Sequence, residues 1–458
     1  MSSESRVQSE LVSTTSISTI SKVAISSVKR WYQALPQPTH GANGRRMPAF
    51  SELPLYRSIA KYREYQKLFA LKDPFFQVHQ TRSGAEAQIG GEHCANFASY
   101  DYLALNQHPD VGAAAVAAIA QYGTSVSASR LVAGERPLHR ELEAALARFY
   151  ETEDALVYVS GHATNVSAIS TIVGPKDVIF YDDFVHNSAS TGAKLSGAKL
   201  VSFNHADPDD LERKLAEHRE NYTFALILME GLYSMDGDIP DLVRFVEVKK
   251  RYGAWLMIDE AHGLGVLGAT GRGIAEHAGI DPREVDIWMG TLSKTLSSCG
   301  GYIAGRRELI DVLKYQSPGF VYSVGMPASA TAAALKSLEI LERSPERVQR
   351  LQDNGRVFLA ECKAHGLDTG LSAGYAVVPV IVGDAVLAIR LTERLLQRGV
   401  NALPIIYPAV QLKTDRVRFF ITSAHTHEQL SYAARATREE LDLLAGKGSH
   451  AARAGSGR

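Results

Sequence analysis

The sequence has few cysteines, no long apolar run and almost no net charge, and each absence excludes a class of protein. Of its 458 residues only Cys94, Cys299 and Cys362 are cysteines, too far apart in sequence for a disulfide framework or a Cys-x-x-Cys metal site. The longest apolar run, at 113–120, is much shorter than the roughly 18 to 20 residues that cross a bilayer. Lys plus Arg total 49 and Asp plus Glu total 50, so no summed positive field attracts nucleic acid. We therefore expect a soluble cytoplasmic protein with no transmembrane segment, no nucleic-acid partner and no metal.

The chain is apolar enough to bury large cores along most of its length, because 45% of its residues are hydrophobic and 22% are charged. Its ends differ from this average. The N-terminus is rich in Ser and Thr, and the C-terminus in Gly, Ala, Ser and Arg. The predicted organisation is a flexible arm at 1–45, a helical segment at 46–95, a large domain at 96–343, a small α/β domain at 344–445 and a disordered tail at 446–458.

Short apolar runs alternate with longer amphipathic segments, the pattern of β-α units around a mostly parallel sheet. Predicted strands of the large domain are 155–160, 178–181, 225–229, 255–258, 287–289 and 302–304, with helices at 139–150 and 242–252. In the small domain we predict strands at 376–382, 400–406 and 417–421 and a helix at 385–398. The fold class is therefore α/β.

Two familiar motifs are present in the wrong context. Gly263, Gly265 and Gly268 match a dinucleotide fingerprint, but polar residues separate them from the preceding strand and further glycines prolong the loop. The run Asp259-Glu-Ala-His262 matches a helicase motif, yet the chain lacks the upstream Gly-x-x-x-x-Gly-Lys phosphate loop. Neither a Rossmann site nor an ATPase is expected.

A set of polar residues follows several predicted strands, at the edge where ligands bind in open parallel sheets. Pyridoxal phosphate needs a lysine amine for its aldehyde, a carboxylate for its pyridine nitrogen, a flat neighbour for its ring and amide donors for its phosphate. Lys294, Asp259, His186 and the predicted helix start at Gly161 supply these groups. The sequence thus predicts pyridoxal phosphate as the cofactor.

The same residues lie in motifs that resemble those of the α-oxoamine synthases, a family of fold-type-I pyridoxal phosphate enzymes. The resemblance covers about residues 96–429 and depends on the segments Glu230–Asp238, Asp259–Gly265, Gly271–Gly273, Gly290–Lys294 and Arg416–Thr426. It implies the aspartate aminotransferase-like fold, with a large cofactor-binding domain and a small C-terminal domain. It also implies a homodimer.

The resemblance assigns a role to each matching residue. Lys294 would carry the cofactor, Asp259 would pair with the pyridine nitrogen, and His186 would stack on the ring. Further cofactor contacts would come from Gly161, His162, Ser234, His262 and Thr291, and substrate contacts from Arg418, Tyr100 and Asp101. Arg418 would clamp the amino acid carboxylate with two hydrogen bonds.

The implied reaction is a decarboxylative Claisen condensation that joins a small amino acid (Gly, Ala or Ser) to an acyl thioester and yields an α-amino ketone and carbon dioxide. Coenzyme A and an acyl carrier protein remain equal candidates for the thioester's carrier. The segment Ser99–Leu105 resembles that of serine palmitoyltransferases, but Asp101 replaces an asparagine. A carboxylate facing the substrate would repel it, so Asp101 either turns away or has different contacts.

Two other functions are compatible with the same fold. One is an aminotransferase or lyase that uses the cofactor without forming a carbon-carbon bond. The other is a non-catalytic subunit, although such proteins typically lack the lysine that this chain retains as Lys294.

Overall fold

The computed structural model describes residues 46–446, so the predicted arm at 1–45 and nearly all of the predicted tail lie outside the described residues. The chain divides into two compact units, one ending at Asp73 and the other beginning at Pro74. In the first unit, a 3₁₀ turn at Phe50–Glu52 precedes helix α1, Pro54–Leu68. The second unit contains all the β-strands and carries the site.

The second unit alternates strands and helices, as the apolar pattern predicts. Its strands are β1 (Glu86–Ile89), β2 (Glu92–Asn96), β3 (Asp154–Tyr158), β4 (Val178–Asp182), β5 (Lys199–Phe203), β6 (Ala225–Glu230), β7 (Trp255–Asp259), β8 (Ile287–Thr291), β9 (Gly301–Gly305), β10 (Val377–Ile381), β11 (Val400–Asn401), β12 (Leu403–Ile405) and β13 (Arg416–Phe420). Its helices are α2 (Pro109–Tyr122), α3 (Pro137–Phe149), α4 (Gly161–Ile172), α5 (Asn187–Ser196), α6 (Pro208–His218), α7 (Leu242–Tyr252), α8 (Ile274–Ala278), α9 (Arg307–Gln316), α10 (Pro318–Val321), α11 (Ala328–Arg343), α12 (Pro345–Ala364), α13 (Ala385–Gln397) and α14 (His427–Leu444). Shorter helical turns are Arg130–Gly134, Arg219–Asn221 and Pro282–Glu284.

A seven-stranded sheet with the order β3-β9-β8-β7-β6-β4-β5 forms the centre of this unit. All neighbouring strands are parallel except β9, which runs antiparallel to both β3 and β8. β6 is buried along its whole length, as expected for a sheet covered by helices on both faces. The predicted α/β class and mostly parallel sheet are confirmed.

The predicted elements of the C-terminal part form an antiparallel sheet with the order β10-β13-β12. One predicted strand, 400–406, is wrong as a single element. Its first part, β11, pairs with β2, whereas its second part, β12, pairs with β13. The division of the larger unit between residues 343 and 344 stays a prediction.

Side-chain caps start several helices in this unit. Ser160 Oγ accepts a hydrogen bond from the Ala163 amide at the start of α4, and Asp241 and Asp384 cap α7 and α13 in the same way. None of the helices within residues 46–446 is both long and apolar enough to span a bilayer. The same residues contain no group of three or more His, Cys, Asp or Glu arranged to bind a metal ion.

Candidate active site

A cavity of about 340 Å³ opens beside the carboxyl ends of the central strands, where β7 ends at Asp259 and β8 at Thr291. The parallel sheet explains this position, since residues after the strand ends converge on one edge. All the predicted site residues except Asp101 line the cavity: Tyr100, Gly161, His162, His186, Ser234, Asp259, His262, Thr291, Lys294 and Arg418.

Lys294 follows β8 by three residues, and its side chain is partly buried in the cavity wall. Desolvation lowers its pKa to about 8, although the negative charges of Asp259 and Glu230 oppose this change. Its Nζ lies 5.6 Å from the centre of the Tyr100 ring. A large share of the amine is therefore neutral near pH 8, which a nucleophilic lysine requires.

Asp259 ends β7 and is buried. Its Oδ2 accepts a hydrogen bond from Asn165 Nδ2 at 2.8 Å, and its Oδ1 accepts one from the Ala261 amide at 2.9 Å. These donors stabilise the ionised carboxylate, which is the form that pairs with a protonated pyridine nitrogen.

His186 precedes α5, and its ring is open to the cavity. Its Nδ1 lies 2.7 Å from Ser188 Oγ and accepts a hydrogen bond from the Ser188 amide, while its own amide donates to Glu230 Oε1 at 2.7 Å. Desolvation lowers the pKa of His186 and outweighs the negative charge of Asp259, which opposes it, and the positive charge of Lys294 lowers the pKa further. The imidazole is therefore neutral near pH 7 and presents a flat, uncharged face.

The N-terminus of α4 forms the end of the cavity suited to an anion. The first amides of a helix have no partner within the helix, so those of Gly161 and His162 can donate outward. Gly161 has no room for a side chain, because a Cβ atom there would lie 2.8 Å from Thr291 Oγ1. Two backbone amides and the Thr291 hydroxyl thus lie in the same part of the cavity lining.

Arg418 projects from β13 toward the loop after β6. Its Nη1 donates to the Ser234 carbonyl at 2.8 Å, and its guanidinium carbon lies 4.4 Å from the centre of the Phe420 ring. Its Nε is buried and has no hydrogen-bond partner among the described residues. This donor remains available for a carboxylate in the cavity.

His262 also lines the cavity and is buried. Its Nδ1 shares a hydrogen bond with the Tyr102 hydroxyl at 2.6 Å. Burial lowers the pKa of His262 well below 6.5, with a further contribution from the positive charge of Lys294. His262 is therefore neutral, and Tyr102 holds its ring in place.

Asp101 is outside the cavity lining, in contrast to the predicted substrate contact. Its Oδ1 accepts hydrogen bonds from the Leu105 amide at 2.9 Å and from Ser297 Oγ at 3.2 Å. The carboxylate thus turns toward its own loop and toward the segment that follows Lys294, which avoids repulsion of an anionic substrate. Burial raises its pKa.

Several lining residues were not predicted, among them the polar residues Asn165, Ser188 and Glu230. Glu230 directly follows the predicted strand 225–229, and this position after a strand end is a signal that could have identified it. Burial, and then the charge of Asp259, raise its pKa well above 4.5. Asn165 is one helical turn after Gly161, but nothing in the sequence alone indicates its partner.

The residues present fit pyridoxal phosphate. The amine, the buried carboxylate, the neutral imidazole and the amide cradle each match one group of the cofactor. The buried Nε of Arg418 offers a donor for a second ligand group, a carboxylate.

Comparisons with known proteins place the chain in a family. The profile described as "Aminotransferase class I and II" matches residues 92–436. An 8-amino-7-oxononanoate synthase of Thermoanaerobacter pseudethanolicus is 38% identical over 372 residues, covering 81% of this chain and 92% of the relative. Another enzyme of that name, from Symbiobacterium thermophilum, is 41% identical over 345 residues, covering 75% and 88%.

Solved structures agree with this placement. A serine palmitoyltransferase variant from S. paucimobilis with bound PLP-myriocin aldimine superposes with a TM-score of 0.83 at 28% identity, covering 87% of this chain and 100% of that chain. An 8-amino-7-oxononanoate synthase from Francisella tularensis has a TM-score of 0.67 at 26% identity, covering 77% and 99%. The chain belongs to the aminotransferase class I and II family and, within it, to the α-oxoamine synthases, pyridoxal phosphate-dependent acyltransferases that condense an amino acid with an acyl thioester.

Proposed function

We propose that this chain joins glycine, alanine or serine to an acyl thioester, with loss of carbon dioxide, and releases an α-amino ketone. The observation that carries the proposal is the cavity that combines Lys294, whose pKa falls to about 8, with Asp259 and the unpaired Nε of Arg418. The names of the relatives support an amino ketone product.

In this proposal each site residue has one task. Lys294 would hold the cofactor through its amine and would move the proton at the amino acid's α-carbon. Asp259 keeps the pyridine nitrogen protonated, and the bound cofactor supplies the electron sink for the carbanion. His186 would pack on the cofactor ring, Ser234 and His262 would bind its phenolic oxygen, and Thr291 with the Gly161 and His162 amides would hold its phosphate.

Arg418 binds the amino acid carboxylate in this proposal, and aromatic rings restrict the space beside it. Tyr100 and Phe420 pack edge to face with their centres 4.8 Å apart, and Tyr100 lines the cavity. This supports an amino acid with a small side chain. The acyl group is carried by coenzyme A or by an acyl carrier protein, and the experiment below includes both.

We also propose a cytoplasmic homodimer. An exposed apolar cleft beside the large sheet supports the dimer: Tyr322 is 86% exposed and Val132 82% exposed, and both line this cleft. Its occupant would be a second copy of the chain, and native mass spectrometry reads the stoichiometry directly. Free cysteines at positions 94, 299 and 362 support a reducing compartment.

The test is the visible spectrum of the purified protein with pyridoxal phosphate, followed by product analysis. We expect a yellow protein whose band disappears on borohydride reduction. Mixed with one of the three amino acids and a thioester on coenzyme A or carrier protein, it should release thiol and carbon dioxide in equal amounts. The Lys294→Ala variant should release neither thiol nor carbon dioxide. A protein that exchanges the amino acid's α-proton but never consumes a thioester would overturn the proposal.

A further inference from the structure

His205 joins two acidic side chains that come from different segments beside the cavity. It follows β5 by two residues and does not line the cavity. Its Nδ1 donates to Asp182 Oδ1 at 2.9 Å, and its Nε2 donates to Asp238 Oδ2 at 2.9 Å. We call this group of three side chains the His205 bridge.

Both bonds require the charged form of the imidazole, because a neutral imidazole carries only one N–H group. Burial alone would lower the pKa of His205, but hydrogen bonds and the charges of Asp182 and Asp238 outweigh it and raise the pKa to about 10. The ring also stacks on Phe184, with the ring centres 4.2 Å apart, and lies at a right angle to the Tyr233 ring, with the centres 4.4 Å apart. The bridge therefore stays charged across the neutral range.

The acidic partners of His205 belong to two segments that each contribute lining residues to the cavity, His186 in one and Ser234 in the other. Asp182 ends β4 and accepts a hydrogen bond from the Phe184 amide at 2.8 Å, which fixes the turn leading to His186. Asp238 belongs to the loop after β6, and its carbonyl accepts the Tyr233 amide at 3.1 Å. In the same loop the Ser234 carbonyl binds Arg418. The bridge thus links the segment of His186 to the segment that orients Arg418.

We propose that His205 is a positioning residue that acts through Asp182 and Asp238 to hold His186 and Arg418 at a fixed separation for the amino acid. This inference rests on the proposed function, in which Arg418 binds the amino acid carboxylate. The bridge makes no contact with the cavity itself, so its effect reaches the substrate only through the two segments. Loss of the bridge should therefore weaken binding of the amino acid and leave binding of the acyl thioester unchanged.

The experiment uses His205→Asn and His205→Gln in the full-length holoenzyme. An asparagine amide nitrogen occupies the place of Nδ1 and reaches Asp182 alone, whereas a glutamine amide nitrogen occupies that of Nε2 and reaches Asp238 alone. Each variant therefore keeps one of the two hydrogen bonds but no longer connects Asp182 to Asp238. His93→Gln, at an exposed position on β2, is the matched control. Asp238→Asn is a further variant that keeps His205 and Asp182 in case the first two fold poorly.

We expect faster amide hydrogen exchange in residues 183–187 and 231–238 of both variants, with β10 unchanged. The KM for the amino acid should rise about tenfold, while the KM for the thioester stays within about twofold. Lower melting temperatures with unchanged exchange in the two segments, or with an unchanged amino acid KM, would show a merely structural role and overturn the inference. If the wild-type protein condenses nothing, the proposed function fails, and the exchange data alone still decide whether His205 joins the two segments.

Discussion

The side-chain amide of Asn165 connects the two residues that flank the proposed cofactor ring. Its Nδ2 donates to Asp259 Oδ2 at 2.8 Å and lies 2.9 Å from Ser188 Oγ, which in turn contacts His186 Nδ1. One helix residue therefore orients a carboxylate from β7 and an imidazole from the loop after β4. Buried networks of this kind are sensitive to the loss of any member.

Replacing Asn165 by alanine should weaken cofactor binding. The change removes a donor to Asp259 and frees Ser188, so we expect the dissociation constant of pyridoxal phosphate to rise about tenfold. Absorbance titration of the apoprotein measures it. Ser170→Ala, on the same helix but bonded only to carbonyls of that helix, should leave the constant unchanged. Equal affinity in both variants would show that the network does not support the cofactor.

Lys294 should set the pH dependence of cofactor attachment. Its pKa is lowered to about 8, and only the neutral amine attacks an aldehyde, so the attachment rate should rise with pH below 8 and level off above it. Stopped-flow absorbance of apoprotein mixed with pyridoxal phosphate gives the profile. The control variant Lys336→Ala, at a partly exposed position on α11, should retain the wild-type pH profile. A midpoint near 10.5 would contradict the desolvated amine.

Arg418→Lys should mainly affect the amino acid. Lysine keeps the charge but loses the planar pair of donors that matches a carboxylate, and the unpaired Nε disappears with it. The expected result is a rise in the amino acid KM of about tenfold to a hundredfold, with little change in the thioester KM. Steady-state kinetics with each substrate varied in turn separate the two effects, and Arg435→Lys on α14 serves as the control. Equal changes in both KM values would argue against a carboxylate clamp.

Asp101→Asn distinguishes the observed position of Asp101 from the predicted one. The carboxylate faces the Leu105 and Asn106 amides and Ser297, so its loss should loosen the segment after Lys294. We expect kcat to fall severalfold while the amino acid KM changes by less than about twofold. Asn106→Ala is the comparison variant. A large change in the amino acid KM of Asp101→Asn alone would instead show that Asp101 contacts the substrate directly.

The strand ends of the site were predictable because apolar runs are easily recognised and a parallel sheet brings their ends together. Asp259, Lys294 and His186 were found in this way. For Asp101 the sequence left two alternatives, a turn away from the substrate or different contacts, and could not choose between them. The orientation of Asp101 depends on a turn in which Ala104 has a positive φ of 55°, an uncommon state for a residue other than glycine, and on Ser297, distant in sequence.

Hydrogen bonds between side chains that are distant in sequence were also not predictable. Asn165 and Asp259 are 94 residues apart, and no local pattern marks the pair. The split of the predicted strand 400–406 has a similar cause, since β11 and β12 differ in their pairing partners rather than in their apolar character. Periodicity predicts which residues are extended, but the choice of neighbour is made by tertiary packing.

The antiparallel strand β9 has a consequence for how the chain is made. β3 has no sheet neighbour other than β9, and β9 also separates it from β8. A chain that ends before Gly301 therefore leaves unpaired the edges of β3 and β8 that face β9 in the full sheet. Truncated chains that end before this point should aggregate through these edges, whereas in the full chain β9 pairs with both strands.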